Sequence, residues 1–478
     1  MTEPVAKKHK SNKTPTTDGP IVLQAKDGSR CRCLYILQKK NRQCNMTRRK
    51  SDKYCAQHKV EMGENSGKRK RIPCPLDPRH TVMEDQVERH LQKCSALVQV
   101  PTDAWYRPDY NLPGHIDTSL SDKNKATDSD NNAETDESGE ASKKEVDFKK
   151  WYSKLERFYN EHLAKIEPEP LVLKHKGIEH RLEQLENPKH AIQQGSLIGH
   201  MERAGILTSF DNVVIEFGCG RGELSRYVNQ AQFISKHEGK PRVGDKSRKF
   251  LMIDRAGHRM KFDTKLLKDF HEFVTDEEKQ QEIGEPVVER IKIDIKDIDL
   301  AKALELKFPT LAATEDKTVS AISKHLCGCA TDLTLQCLFN STRTRKGSDA
   351  DAADAAKPAL RGVVIALCCR QLCNYESYPL AGRAFLAEHG IATSPEEFRT
   401  LAKITSWAIC SRRPDADPTS RNHPSGLSLE EREQVGLWAR RCVDYGRVHS
   451  LREAGMEADL YQYVGKEVSL ENVVLVAK

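Results

Sequence analysis

The apolar positions of this chain change their pattern several times along its length. From residue 212 onward, short apolar runs are separated by helix-length stretches, which predicts buried strands joined by crossover helices. The strands are expected at Val213–Ile215, closed by Glu216; at Phe250–Ile253, ending at Asp254; at Glu289–Asp294; at Thr318–Ile322; and at Gly362–Leu367. Leu224–Ala231 reads as the first crossover helix, and 234–249 as a polar insertion after it. Near the end, Leu429–Leu451 has helical periodicity, and Tyr461–Val464 with Asn472–Val476 reads as a final antiparallel pair. Upstream, Trp151, Leu155, Phe158, Tyr159 and Leu163 fall at helical spacing, and Pro168 and Pro170 end that element. The next helix, around Lys189–Glu202, is unusually polar, which suits either an exposed face or a functional one. Before all of this, Asp117–Glu145 holds almost no large apolar residue and cannot bury a core, so it reads as a disordered acidic linker.

Composition narrows the class. A chain of 478 residues has room for roughly two to four domains. It is 31% charged and 37% hydrophobic, as expected of a protein with long polar segments. No run of 18 apolar residues occurs and the N-terminus lacks an apolar core, so neither a membrane span nor a secretory signal is expected. Fifteen cysteines, an odd number, then point to reduced thiols and metal ligands inside the cell rather than to a disulfide framework. The net charge of +7 is unevenly spread: Lys and Arg crowd the first seventy or so residues, as phosphate-backbone binding requires. The first 25 residues read as no more than a disordered basic tail.

Two clusters within that basic region have metal-ligand spacing. Cys33-x10-Cys44-x10-Cys55-x2-His58 offers three thiolates and an imidazole to a tetrahedral zinc ion, with Cys31 competing for the first position. Leu34, Tyr35 and Ile36 are its main apolar content, too little to fold without a metal. Cys74-x5-His80-x9-His90-x3-Cys94 forms the second cluster, and on a helix over Glu84–Cys94 its last two ligands share one face. Its order resembles the small CHHC finger found in a minor-spliceosome protein and in certain tRNA methyltransferases. The expected fingers span 26–62 and 70–98. The aromatic cluster Trp105, Tyr106 and Tyr110 is expected to dock against the second.

The chemistry of the larger domain starts at the turn after the first strand. Gly218, Gly220 and Gly222, with Cys219 between the first two, build a turn that suits a nucleotide-like cofactor. The spacing is G-x-G-x-G, not the G-x-G-x-x-G of a pyrophosphate site, and the preceding Glu216 would repel a pyrophosphate. This combination resembles motif I of class I S-adenosylmethionine (SAM) methyltransferases. That resemblance implies that Glu216 serves the methionine moiety, Asp254 the two ribose hydroxyls and Asp294 the adenine edge.

Two polar clusters follow the fourth and fifth strands: Lys324-His325-Leu326-Cys327-Gly328 and Cys368-Cys369-Arg370. In an open α/β sheet both would face the ligand cleft. Together with Lys189-His190-x3-Gln194, Ser196–Glu202 and the glycine turn, they resemble the eukaryotic tRNA 2'-O-methyltransferase family that modifies nucleotide 4 of the acceptor stem. The resemblance implies a Rossmann-like, doubly wound sheet with a final antiparallel strand over 147–478, with insertions near 342–358 and 412–427. It also implies two structural zinc ions, SAM as methyl donor and a tRNA acceptor stem as partner, with no obligate protein partner evident. Lys324 and His325 are the candidates for positioning the ribose hydroxyl and taking its proton, and Arg370, where the family resemblance leads one to expect histidine, for holding the adjacent phosphate or offsetting developing negative charge. Arg440, Arg441, Arg447 and Arg452 on the late helix are available to phosphates or form a solvated face. Cys327, Cys329, Cys368, Cys369 and Cys373 read as pocket-lining thiols or as a third metal cluster. Rival readings are an RNA-binding or splicing adaptor with an inert methyltransferase-like half, and a methyltransferase acting on protein or DNA.

Overall fold

The structure, a computed structural model, describes residues 31–37, 42–49, 52–62, 71–78, 80–94, 102–114, 146–207, 212–234, 247–257, 261–273, 284–309, 317–343, 357–409, 419 and 421–478. The basic tail and nearly all of 117–146 lie outside these residues, as do most of 234–249, 342–358 and much of 412–427. The chain divides into two compact units, Met1–Pro101 and Thr102–Lys478.

The first unit holds two small hairpin-and-helix knots. One pairs β1 (Ile36–Leu37) with β2 (Arg42–Gln43) and continues into helix α1 (Ala56–Glu61). The other pairs β3 (Arg71–Pro73) with β4 (Thr81–Met83) and continues through a 3-10 turn into α2 (Val87–Leu91). Among the described residues, their buried interiors consist of cysteines, Val82, His58 and Arg48, so neither has an apolar core of ordinary size.

The second unit is built on one sheet. Its helices are α3 (Phe148–Phe158), α4 (Lys176–Gln184), α5 (Lys189–Arg203), α6 (Glu223–Ile234), α7 (Lys261–Phe273), α8 (Leu300–Lys307), α9 (Cys329–Ser341), α10 (Leu380–Glu388), α11 (Pro395–Thr405) and α12 (Leu429–Glu453). Its strands are β5 (Glu169–Pro170), β6 (Asn212–Phe217), β7 (Lys249–Asp254), β8 (Val287–Lys292), β9 (Thr318–Cys327), β10 (Ala359–Cys368), β11 (Ala458–Gln462) and β12 (Val473–Ala477), in the order β5-β11-β12-β10-β9-β6-β7-β8. Strands β6 to β10 are parallel, whereas β12 runs antiparallel to both its neighbours. The chain leaves β6 toward β7 and β8, then returns to β9 on the other side, so the order reverses between β6 and β9. Such a reversal opens a crevice at the carboxyl ends of the strands.

Alternation along the strands splits the core in two. Val213, Ile215 and Phe217, with Leu251 and Ile253, join one buried cluster, which includes residues of α3, α8, α9 and α12. Val214, Phe250 and Met252 join the other, with residues of α4, α5 and α6. The late helix begins with a reciprocal cap: Glu431 N donates to Ser428 Oγ at 3.1 Å, and Ser428 N to Glu431 Oε2 at 2.7 Å.

Several expectations change here. The polar helix α5 is not an exposed face; Gln193, Gln194, Ser196 and His200 are buried, and its exposed residues are at its two ends, Lys189 and His190 at the start and Glu202 and Arg203 at the finish. Trp105, Tyr106 and Tyr110 belong to the second unit. Asp299 N donates to Trp105 O, Arg107 N to Asp297 O and Asn111 N to Lys296 O, so this strap is sewn to the turn after β8. The arginines of α12 are not free for phosphates. Arg447 is buried against Asp332, Arg440 against Glu471 and Arg441 against Glu167, and Arg452 pairs with Asp459 at the surface.

Candidate active site

The glycine turn sits at the carboxyl end of β6. Gly218, Gly220 and Gly222 have φ of 62°, 51° and 82°, a region that side-chain-bearing residues adopt only under strain. A Cβ on Gly220 would meet nothing within 4 Å, so the loop is open above that residue. A Cβ on Gly222 would lie 2.5 Å from Arg290 Nη2 and 2.8 Å from Met252 Sδ, so there the glycine is required by close packing.

Arg290 on β8 is the buckle of this turn, and nothing in the sequence pattern singled it out. It pairs with Asp263 through two bonds of 2.6 Å, and donates from Nη1 to Gly220 O at 3.0 Å and from Nη2 to Arg221 O at 3.0 Å. Its Nη1 also lies 3.3 Å from Cys219 Sγ, and that thiol is pushed up to about 12 by burial and then by Glu216. Asp254 closes the turn from β7: its Oδ2 accepts from Gly220 N and its Oδ1 from Ala256 N, both at 2.8 Å. The carboxylate thus stands at the end of its strand with the turn fixed against it. Asp294 caps the 3-10 turn after β8, accepting from Lys296 N at 3.1 Å.

Glu216 lies one residue inside β6 and is buried. Its Oε2 accepts from Ser225 N at 3.0 Å and Ser225 Oγ at 2.5 Å, tying the strand to the first turn of α6. Burial pushes its carboxyl up to about 7, with the Ser225 bonds and Arg290 opposing.

The strand next to β6 carries the second group. Strand β9 runs on through Lys324 and His325 to Cys327, five residues beyond the expected end: its register with β10 shifts at a bulge formed by Lys324 and His325, and pairing resumes at Leu326 opposite Leu367 and Cys327 opposite Cys368. Lys324 is buried, with Nζ 3.0 Å from His190 Nδ1 on the first turn of α5. Burial pushes the Lys324 amine down to about 8, with Glu223 pulling it back. His325 is exposed, with its ring 6.2 Å from that of His190; its surroundings, then Lys324 and His190, push it down to about 4. Nearby, Arg181 donates to Gln194 Oε1 at 2.6 Å and Glu223 Oε1 at 2.8 Å, and Gln194 Nε2 donates to Glu223 Oε2 at 3.2 Å. From α5, Gln194 joins this lattice at the head of α6, whereas Ser196 Oγ accepts from Leu173 N at 3.2 Å and His200 Nε2 lies 3.0 Å from Leu171 O.

Arg370 is placed differently from the expectation. It is wholly buried, bonded to both oxygens of Asp444 at 2.7–3.0 Å, to Glu471 Oε2 at 2.7 Å and to Leu367 O at 3.1 Å. Its donors therefore face inward, not toward a phosphate.

The ligand clusters of the first unit converge. Cys33, Cys44, Cys55 and His58 bring their ligand atoms within 4.8 Å of one another, while Cys31, though buried, stays outside the group. Tyr35 stacks on the His58 ring at 3.9 Å. Cys74, His80, His90 and Cys94 do the same: the sulfurs are 3.6 Å apart and the imidazole Nε2 atoms 3.0 Å. A tetrahedral zinc site has ligand–ligand edges of roughly 3.3–3.8 Å; both donor sets lie close to that geometry, with the His80–His90 edge a few tenths of an ångström short of it.

Residues 192–478 match the family model described as "Methyltransferase TRM13", well over half of the chain. The chain belongs to the TRM13 methyltransferase family. Residues 31–59 match "CCCH zinc finger in TRM13 protein" and residues 71–95 match "U11-48K-like CHHC zinc finger". The "tRNA:m(4)X modification enzyme TRM13" of Yarrowia lipolytica is 38% identical over 472 residues, 94% of this chain and 90% of that protein. The protein of that name from Saccharomyces cerevisiae is 34% identical, covering 96% of this chain and 98% of its own. The one from Schizosaccharomyces pombe is 36% identical, covering 85% and 95%. No solved structure matches the chain at significant similarity.

TRM13 membership makes the enzyme a methyltransferase and implies a methyl donor, and the glycine turn, open above Gly220 and edged by Asp254, suits one. Gly222→Ala is expected to weaken donor binding about ten- to hundred-fold. The left-handed backbone alone costs roughly 1–2 kcal/mol and Arg290 must also move. Titration calorimetry with the donor measures this directly. For the TRM13 fingers, chelation is expected to make 31–94 sensitive to protease while Thr102–Lys478 keeps its thermal transition, because metal removal leaves the small knots without a core. Limited proteolysis with and without a zinc chelator reads both effects.

Proposed function

We propose that this chain transfers a methyl group from SAM to the ribose 2'-hydroxyl of nucleotide 4, a cytidine or adenosine, in the acceptor stem of certain tRNAs. The curated TRM13 relatives carry the name of a tRNA-modifying enzyme, and this chain spans nearly all of their length. The observation that carries the reading is Lys324 with His325 at the carboxyl end of β9, the strand beside the glycine-turn strand, in a chain of this family. SAM supplies a methyl group already activated on a sulfonium. A ribose hydroxyl is a poor nucleophile near neutral pH, so the protein has to align its oxygen with the methyl carbon and provide a proton acceptor.

The chain's own residues divide this work. Gly218, Cys219, Gly220 and Gly222 give backbone room for the donor, Asp254 accepts from its ribose hydroxyls, and Asp294 with the turn after β8 edges the adenine. Glu216 holds the turn to α6 and sets the charge beneath the methionine end. Lys324, relayed to His190, takes the proton, and His325 positions the nucleotide. Arg370 supports this cleft from behind, through Asp444 and Glu471. Cys33, Cys44, Cys55 and His58 hold one zinc ion, and Cys74, His80, His90 and Cys94 a second. The two fingers and the basic N-terminal region grip the stem by shape and phosphates, because an A-form helix hides its base edges. The protein would work inside the cell, in nucleus or cytoplasm, with its tRNA. Among the described residues no helix is long and apolar enough to cross a membrane.

The test is methyl transfer from radiolabelled SAM to unmodified total tRNA, followed by nuclease mapping. Label in an alkali-resistant dinucleotide of the acceptor stem supports reaction and target together. Label on a base, or in another arm of the tRNA, overturns the target. No transfer despite SAM and RNA binding favours the adaptor reading.

A further inference from the structure

Of the five cysteines near the ends of β9 and β10, the structure brings three together and separates the others. Cys327, Cys368 and Cys369 have sulfurs all within 4.8 Å of one another. Cys373 lies elsewhere, buried with Arg447 Nη2 at 3.0 Å, and Cys329 starts helix α9.

The backbone is shaped for this convergence. Cys327 and Cys368 are register partners on adjacent parallel strands, with their sulfurs 3.5 Å apart. Consecutive residues of a strand point to opposite faces, so Cys368 and Cys369 would ordinarily diverge. They converge because Cys369 adopts a left-handed conformation, φ 46°, held by a bond from its own N–H to Glu471 Oε1 at 3.1 Å. The facing loop is fitted as tightly: Gly328 has φ 60°, and a Cβ there would lie 2.5 Å from Leu372 Cβ. A strained non-glycine residue of this kind persists only where the surroundings impose it.

The sulfur geometry resembles that of the CHHC finger, where Cys74 and Cys94 are 3.6 Å apart. Cys327 is exposed and Cys369 half-buried, so the group opens on one side to solvent. Three thiolates with an open side suit a soft divalent ion, with a fourth position left for water or a small ligand.

We propose that Cys327, Cys368 and Cys369 form a third metal site, which takes a thiophilic divalent ion such as zinc or cadmium. The ion would staple the loops after β9 and β10, and Glu471 would act behind it by fixing the Cys369 turn. It holds no place in methyl transfer, and the proposal stands apart from the substrate reading.

The test is a metal count on the full chain, reduced, loaded with cadmium and freed of excess. Three equivalents per chain are expected, two from the fingers and one here, with three resonances in cadmium-113 NMR. Cys327→Ser alters an exposed side chain and should preserve the fold, verified by an unchanged thermal transition. It is expected to lose one equivalent and one resonance, leaving the finger signals in place. In the parent, the metal should also protect Cys327 and Cys369 from alkylation. Two equivalents in the parent, or three in both parent and Cys327→Ser, overturn the proposal. So does a parent that binds two and carries a Cys327–Cys368 disulfide by mass.

Discussion

An Arg370→His chain is expected to be less stable than its parent and no more active. The family resemblance leads one to expect histidine at this position, and histidine would be the natural change for restoring a base to the cleft. The structure gives the opposite forecast. The Arg370 guanidinium is buried and shares five hydrogen bonds with Asp444, Glu471 and the Leu367 carbonyl. Asp444 is as deeply buried; burial opposes its ionisation, but Arg370 and then Arg447 hold its carboxyl below the usual range. Imidazole is shorter and has at most two donors, so it cannot span both carboxylates. Arg447, at 3.5 Å from Asp444 Oδ1, and more weakly Arg440 would be left to offset its charge. Breaking a buried pair by removing one partner costs about 3–5 kcal/mol, which lowers the melting temperature by roughly 4–6 °C in a unit of this size. Differential scanning calorimetry measures it. A variant with unchanged melting temperature and faster methyl transfer would put position 370 back among the reacting groups.

The contrast at Arg370 shows where sequence reading is strong. Ligand spacing in both fingers was legible because a tetrahedral ion accepts few arrangements of cysteine and histidine over so short a segment. The strands β6, β7 and β10 were legible because a strand buried on both faces must be apolar throughout. The glycine turn was legible because backbone conformation there excludes side chains. What failed had partners far away in the chain. Arg441 meets Glu167, and Arg447 meets Asp332 115 residues upstream. Such arginines look like a phosphate-binding face until their carboxylates are located. Arg290 was overlooked for the same reason, since its value lies in meeting Asp263 and the turn at Gly220. The end of β9 was misplaced because Ser323, Lys324 and His325 are polar, and pairing with β10 that resumes beyond a bulge at Lys324 and His325, not side-chain character, extends the strand past them. Trp105 and its neighbours follow the second finger in sequence, yet their backbone bonds go to residues 296–299.

Lys324→Ala is expected to slow single-turnover methyl transfer by about 10²- to 10⁴-fold, the usual contribution of a positioned base, while donor binding stays within a few-fold of the parent. The pH profile decides whether the amine acts as that base. Burial pushes Lys324 down to about 8, so about a tenth of it is unprotonated at pH 7. An amine accepts a proton only when neutral, so the rate in the parent should rise nearly tenfold per unit up to about pH 7, about fivefold more to pH 8, and level above it. His325 predicts another curve: the imidazole is pushed down, to about 4, and is already neutral at pH 6, so a rate governed by it would be flat from there. Lys324→Arg separates base from charge, because guanidinium keeps the positive charge and gives up no proton in this range. If arginine restores the rate and the parent profile is flat, Lys324 is a positioning cation and the proton leaves by His325. If arginine is as slow as alanine and the slope near pH 7 disappears in both, the proton passes to Lys324, with His190 at 3.0 Å as its outlet.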